Sequence, residues 1–135
     1  MASVGVIGGG QLARMMTPPA INLGLEIKVL AEAAGSSAAL ATTQVGDYTH
    51  LDVVREFAAT VDVITFDHEH VPTEHLDALI AAGIAVRPGP HALVNAQDKL
   101  QMRTTLTAAG IPAPSWREVT TAEDVAEFAA TAGWP

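Results

Sequence analysis

At 135 residues, 49% of them hydrophobic, the chain has the length of one ordinary domain and enough apolar content for a core. A net charge of −8 with seven Lys and Arg spread along the chain excludes a nucleic-acid partner, which needs a basic stripe, and three Phe, two Trp and one Tyr are too few for base stacking. The lack of cysteine excludes disulfides, thiol catalysis and thiolate metal sites; with no apolar run of membrane-span length and no signal-peptide pattern at the start, a cytoplasmic protein is expected.

The first element is an apolar strand, Ser3 to Ile7, which runs into Gly8-Gly9-Gly10 and then a helical pattern over 11–23. Glycine permits a tight turn and close approach, and the first N–H groups of a helix offer partial positive charge, so an anion, most simply a phosphate, is expected there. Pro18 and Pro19 predict a break in this helix near Thr17. A second strand over 26–30 ends near Glu32. Gly8-x-Gly10-x-x-Ala13 fits the alanine-ended dinucleotide fingerprint, and Glu32 stands where a ribose-binding acid belongs. A phosphate ester, a dinucleotide and a purely architectural turn all remain open at this point.

Residues 36–41 read as a short helix capped by Ser36, followed by a brief strand at 44–45. Leu51, Val54, Phe57 and Ala58 give helical spacing over 51–59, and the β-branched run over 61–66 is of the type buried in a parallel sheet. Then come a helix over 72–82 with Pro72 near its first turn and Gly83 after it, a strand over 84–86, and the loop Arg87-Pro88-Gly89-Pro90. Strand and helix alternating at short intervals predict an α/β fold, a Rossmann-like parallel sheet. Beyond the loop the spacing predicts one long helix over 93–109 stopped by Gly110, a strand over 116–119, and a helix from Thr121 with Glu123 and Asp124 in its first turn. Residues 1–95 are expected to form one domain and 96–135 the beginning of a second, incomplete one; the alternative is a single domain with the late helix folded back on the sheet.

Chemistry is expected after Phe66, because α/β sheets bind ligands at the carboxyl ends of their strands. In extended backbone Asp67 and Glu69 share one side and His68 and His70 the other. Two carboxylates facing a pocket suit sugar hydroxyls or an amine, with capping of the following helix as the structural alternative. His68, His70 and His75 could hold a metal, but they lack the helical spacing of zinc hydrolases and a distant third ligand, so no metal is assigned. Gln11 can aim its amide at a ligand; Arg14 reads as a surface charge, Met15 and Met16 as core fillers, Asp47-Tyr48 as a rim or a surface turn, and Asp98, Lys99 and Arg103 as a solvated helix face with a local ion pair.

Four blocks, Gly8-Gly9-Gly10-Gln11-Leu12-Ala13-Arg14-Met15, Thr65-Phe66-Asp67-His68-Glu69-His70-Val71-Pro72, Asn95-Ala96-Gln97-Asp98-Lys99 and Gly110-Ile111-Pro112-Ala113-Pro114, together resemble in order and spacing the N-terminal part of the 5-(carboxyamino)imidazole ribonucleotide synthases, ATP-grasp ligases of purine biosynthesis. The resemblance implies a pre-ATP-grasp domain followed by the start of an ATP-grasp domain. It implies 5-aminoimidazole ribonucleotide, bicarbonate and ATP as substrates, Mg2+ serving the ATP, and a homodimer. It places Gly9, Gly10, Gln11 and Leu12 in the ribonucleotide site with Asp67 and Glu69, and Lys99 at a position that contacts ATP. Asp67, His68 and His70 stand where the family more often has Glu, an aromatic and Asn. The lysine, glycine-rich flap and metal-binding acids of the ATP-grasp fold are expected beyond Pro135, so the catalytic residues lie outside this segment and the chain alone is expected to be inactive. A related ATP-grasp transformylase or carboxylase and a non-catalytic nucleotide-binding module are the competing classes.

Overall fold

A computed structural model describes residues 1–134. Within residues 1–97 five parallel strands, β1 (Ser3–Ile7), β2 (Glu26–Ala31), β3 (Thr42–Val45), β4 (Val63–Phe66) and β5 (Ala85–Val86), form one sheet in the order β3-β2-β1-β4-β5. Helices α1 (Gln11–Asn22), α2 (Leu51–Ala58), α3 (Thr73–Ala81) and α4 (Pro90–Gln97) connect and cover it. This is the expected α/β architecture, with the chain turning back at β1 to build the sheet outward in both directions.

The central strands β1 and β4 and the end of β2 read as largely apolar runs because both faces are covered there. Side-chain alternation sends Ile7, Leu30 and Ile64 to one face, where they pack with Val54 and Phe57 of α2, Leu76 and Leu79 of α3 and Leu93 of α4. Val6, Val29 and Ala31 go to the other face and meet Ala13 of α1 and Ala38. The second face is built from small residues, so α1 lies close to the strands. In the central pair Ile7 stands opposite Phe66 and also opposite Leu30, so β1, β2 and β4 end level with one another. The segments after Ile7, Ala31 and Phe66 therefore emerge side by side at one sheet edge.

The chain from Asp98 onward forms a second compact unit, with α5 (Lys99–Ala108) and α6 (Ala122–Ala132). Among the described residues no helix is long and apolar enough to cross a membrane.

Four local expectations give way. Helix α1 runs unbroken through Pro18 and Pro19; the carbonyls of Arg14 and Met15 lose their N–H partners, but both residues are exposed and water can serve them. Residues 36–41 form a turn rather than a capped helix, held by N–H groups of Ala39 and Ala41 donating three residues back, and the Ser36 hydroxyl is buried without a partner among the described residues. The long helix over 93–109 is two helices, divided at Asp98, whose carboxylate accepts from the N–H groups of Leu100 and Gln101 at 2.8 and 3.0 Å. Residues 116–119 form no strand; Trp116 donates its indole N–H to Thr107 and Arg117 pairs with Asp124 and Glu127, so this segment is tied by side chains.

Candidate functional site

The level ends of β1 and β4 bring Gly8-Gly9-Gly10 against Asp67. The Gly8 N–H continues the sheet by donating to the Leu30 carbonyl at 2.9 Å, and the Asp67 N–H donates to the Ile7 carbonyl at 2.9 Å. Gly10 is the N-cap of α1 and has no side chain to satisfy the helix's first N–H groups. Asp67 does so from the neighbouring strand: Oδ2 accepts from the Gly10 N–H at 2.9 Å and Oδ1 from the Ala13 N–H at 2.6 Å. A negative group at this position also complements the helix dipole.

Each glycine answers to this arrangement. A Cβ on Gly10 would run into the Asp67 carboxylate. Gly8 has φ +104°, and a Cβ there would lie 2.7 Å from His68 Cδ2 and 2.9 Å from Asp67 Cβ. A Cβ on Gly9 would lie 2.6 Å from both Ala31 Cβ and Ser36 Oγ.

Glu32 is occupied in the same way. Its Oε2 accepts from the Gly9 N–H at 3.2 Å and its Oε1 lies 3.0 Å from His68 Nε2. Because His68 Nδ1 accepts the His70 N–H at 3.2 Å, the ring proton sits on Nε2 and donates to Glu32. Burial pushes the Glu32 carboxyl upward, but hydrogen bonds from its own and the Gly9 N–H and from His68 outweigh it and hold the group below its ordinary value. The His68 ring packs against Tyr48 at 4.8 Å between centroids and against His70 at 5.4 Å, so His68 and His70 do lie on one side. His75 donates from Nδ1 to the Tyr48 carbonyl at 3.3 Å. Among the described residues no group of three His, Asp or Glu is placed to hold a metal.

The partners of these residues lie within the chain itself. The amides of Gly9 and Gly10, expected to cradle a phosphate, are bonded to the chain's own Glu32 and Asp67. Asp67 caps a helix, though α1 and not the one that follows it; α3 starts at Pro72 without a side-chain cap. The amides of Gln11 and Leu12, both exposed, take no partner among the described residues. The Glu69 carboxylate likewise makes no hydrogen bond among them, and Glu69 borders an open hollow of about 200 Å³ with Asp67, His68, Pro88, Leu93 and Ala96. Its loop is held by a residue the sequence reading missed: Gln97 Nε2 donates to the carbonyls of Glu69 and Val71 at 2.8 and 3.1 Å, and Gln97 Oε1 accepts from the Thr73 hydroxyl at 3.3 Å.

Elsewhere Met16 packs against the Val6 cluster, whereas Met15 is exposed and not a core filler. Arg14 makes no ion pair among the described residues and borders an apolar hollow of about 270 Å³ with Pro18, Ile21 and Leu40. Asp47 makes a surface turn, accepting from the Thr49 N–H and hydroxyl at 2.8 and 2.7 Å. Lys99 opens α5, exposed, and shares a hollow of about 460 Å³ with Arg103, Trp116 and Arg117. Asp98 spends its carboxylate on the α5 cap instead of the expected local ion pair on this helix face; Asp98-x-x-Gln101 is a capping-box spacing that could have located this helix start.

Comparison with known proteins gives one answer. The N5-carboxyaminoimidazole ribonucleotide synthase of Mycobacterium leprae is 50% identical over 131 residues, covering 96% of this chain and 30% of that protein. That of Corynebacterium ammoniagenes is 48% identical over 130 residues, covering 95% and 32%. The crystal structure of the N5-carboxyaminoimidazole synthase of Aspergillus clavatus in complex with ADP and 5-aminoimidazole ribonucleotide matches with TM-score 0.84 at 32% identity, covering 99% of this chain and 37% of that one. The chain thus spans about a third of the length of the relatives it matches. A family model described as the ribonucleotide synthetase preATP-grasp domain matches residues 1–97, and with the five-stranded parallel sheet in agreement the chain belongs to that family.

Proposed function

We propose that this chain is the ribonucleotide-binding segment of an ATP-grasp ligase that carboxylates the exocyclic amine of 5-aminoimidazole ribonucleotide. ATP would phosphorylate bicarbonate to carboxyphosphate with release of ADP; the amine would then attack the carboxyl carbon, expelling phosphate and losing a proton. Residues 1–97 act as the substrate domain, and residues 98–135 begin the ATP-binding domain. The reading assumes a cytoplasmic homodimer on family likeness alone.

The observation that carries the reading is Glu69, whose carboxylate has no hydrogen-bond partner among the described residues and which borders an open hollow at the sheet edge where α/β folds bind ligands. A free carboxylate suits the ribose hydroxyls or the amine. The exposed amides of Gln11 and Leu12 are the remaining donors of the α1 N-terminus and meet the ribonucleotide there. Gly9, Gly10 and Asp67 shape this edge. Lys99 is proposed to contact ATP: with Arg103 it brings two cations to one hollow, a fit for phosphate oxygens. The described residues hold no group of three His, Asp or Glu that fits the Mg2+ serving ATP.

In the complete ligase, Glu69→Gln should lower kcat/KM for 5-aminoimidazole ribonucleotide at least about tenfold, equivalent to about 1.4 kcal/mol, with KM for ATP within about twofold of the unmodified enzyme. An unchanged kcat/KM for the ribonucleotide overturns the assignment of Glu69.

A further inference from the structure

The glycine turn carries both marks of a dinucleotide site, the Gly8-x-Gly10-x-x-Ala13 spacing and an acid after the second strand, yet each mark is satisfied internally. In the fingerprint's usual setting the turn amides receive a pyrophosphate and the acid receives a ribose hydroxyl. In this chain the Gly10 and Ala13 amides receive Asp67, while Glu32 receives the Gly9 amide and His68. The glycines make room for the protein's own carboxylate, since a Cβ on Gly10 or Gly8 would meet Asp67 or His68. We propose that Asp67 is a resident anion, a specificity-determining residue that keeps pyrophosphate and dinucleotides off the glycine turn, with Glu32 reinforcing it.

Two separate causes produce this exclusion. The donors an incoming phosphate would need are already engaged in charge-assisted bonds of 2.9 and 2.6 Å. The incoming group would also sit against two carboxylates and be repelled by both. Asp67 does this whichever substrate the enzyme uses. One consequence is that the phosphate of a ribonucleotide bound at this edge must be met by groups other than the Gly9 and Gly10 amides.

Inorganic pyrophosphate is the probe, titrated into the 135-residue chain while the amide N–H resonances of Gly9, Gly10 and Ala13 are followed by NMR. In the unmodified chain Gly10 and Ala13 should be protected from hydrogen exchange and show no saturable response. In Asp67→Ala the same two amides should shift saturably over a pyrophosphate range that leaves the unmodified chain unmoved; adding Glu32→Gln should lower the dissociation constant further. Pyrophosphate moving the unmodified amides to saturation overturns the proposal, as does a folded Asp67→Ala chain whose amides ignore it. Should Asp67→Ala fail to fold, the unmodified chain decides by itself: protected, unresponsive amides support the resident anion, and exchanging or titrating amides refute it.

Discussion

Gln97→Ala isolates the residue that ties the Glu69 loop to α4. The side chain makes two good bonds to main-chain carbonyls, at 2.8 and 3.1 Å, and a weaker one from Thr73 at 3.3 Å. Neutral hydrogen bonds contribute about 0.5–1.5 kcal/mol each, and exposure of Gln97 places these toward the lower end. Release of the side chain returns part of that as rotamer entropy. The net expected loss is about 1 kcal/mol, roughly a fivefold fall in the folded-to-unfolded ratio and a drop in Tm of about 4–8 °C for a domain of this size. Thermal unfolding by circular dichroism measures the global effect. Hydrogen exchange at the His70 amide, which donates to His68 Nδ1 at 3.2 Å within the same loop, measures the local one and should quicken about fivefold. A Tm within about 1 °C of the unmodified chain, with His70 exchange unchanged, would show that the loop is held by its own conformation.

Asp98→Ala removes both cap bonds of α5 and should cost about 1 kcal/mol, seen as roughly fivefold faster exchange at Leu100 and Gln101; unaltered exchange there would detach the helix break from its cap. Asp124 accepts from Thr120 and Thr121, and these bonds, the Thr120 backbone N–H first, lower its carboxyl from 3.8 to about 2. Because the folded value is the lower one, the stabilisation of the α6 start is complete above about 3.8 and is lost as pH falls through about 2. An NMR titration of Asp124 centred near 3.8, with the Thr120 and Thr121 amides unmoved, would mean that the capping box does not persist in solution.

The parallel sheet was legible because it rests on runs such as Val61 to Phe66, where burial on both faces dictates composition as well as period. Helices over 51–58 and 73–81 were legible through the spacing of Val54 and Phe57 and of Leu76 and Leu79, which fill the core. The failures share a different cause. The break at Asp98 depends on one side chain turning back to two N–H groups, and the apolar period continues across it. The unbroken α1 reflects exposure of the carbonyls that Pro18 and Pro19 orphan, a property of how the helix lies on the sheet. The strand expected at 116–119 does not form; among the described residues the segment is fixed by the side chains of Trp116 and Arg117.

At the site, the position of both segments was legible in the sequence and the partners of the turn amides were not. Gly8-Gly9-Gly10 and Asp67-His68-Glu69 were each readable as edge segments, and the side they share in space follows from Ile7 lying opposite Phe66. Which anion the turn holds could not be read, because a glycine vacates space and amides without recording what fills them. Asp67 lies more than fifty residues away, and only the β1 to β4 pairing brings its carboxylate to Gly10 and Ala13. The same pairing explains the division of labour between the two acids. Asp67, nearest the strand end, reaches across to the turn; Glu69, two residues further on, lies past it, borders the hollow there and has no carboxylate partner among the described residues. Neighbouring acids with the same charge thus stand in opposite situations, one engaged by main-chain amides and one without a partner among the described residues, and the difference between them is set by strand register.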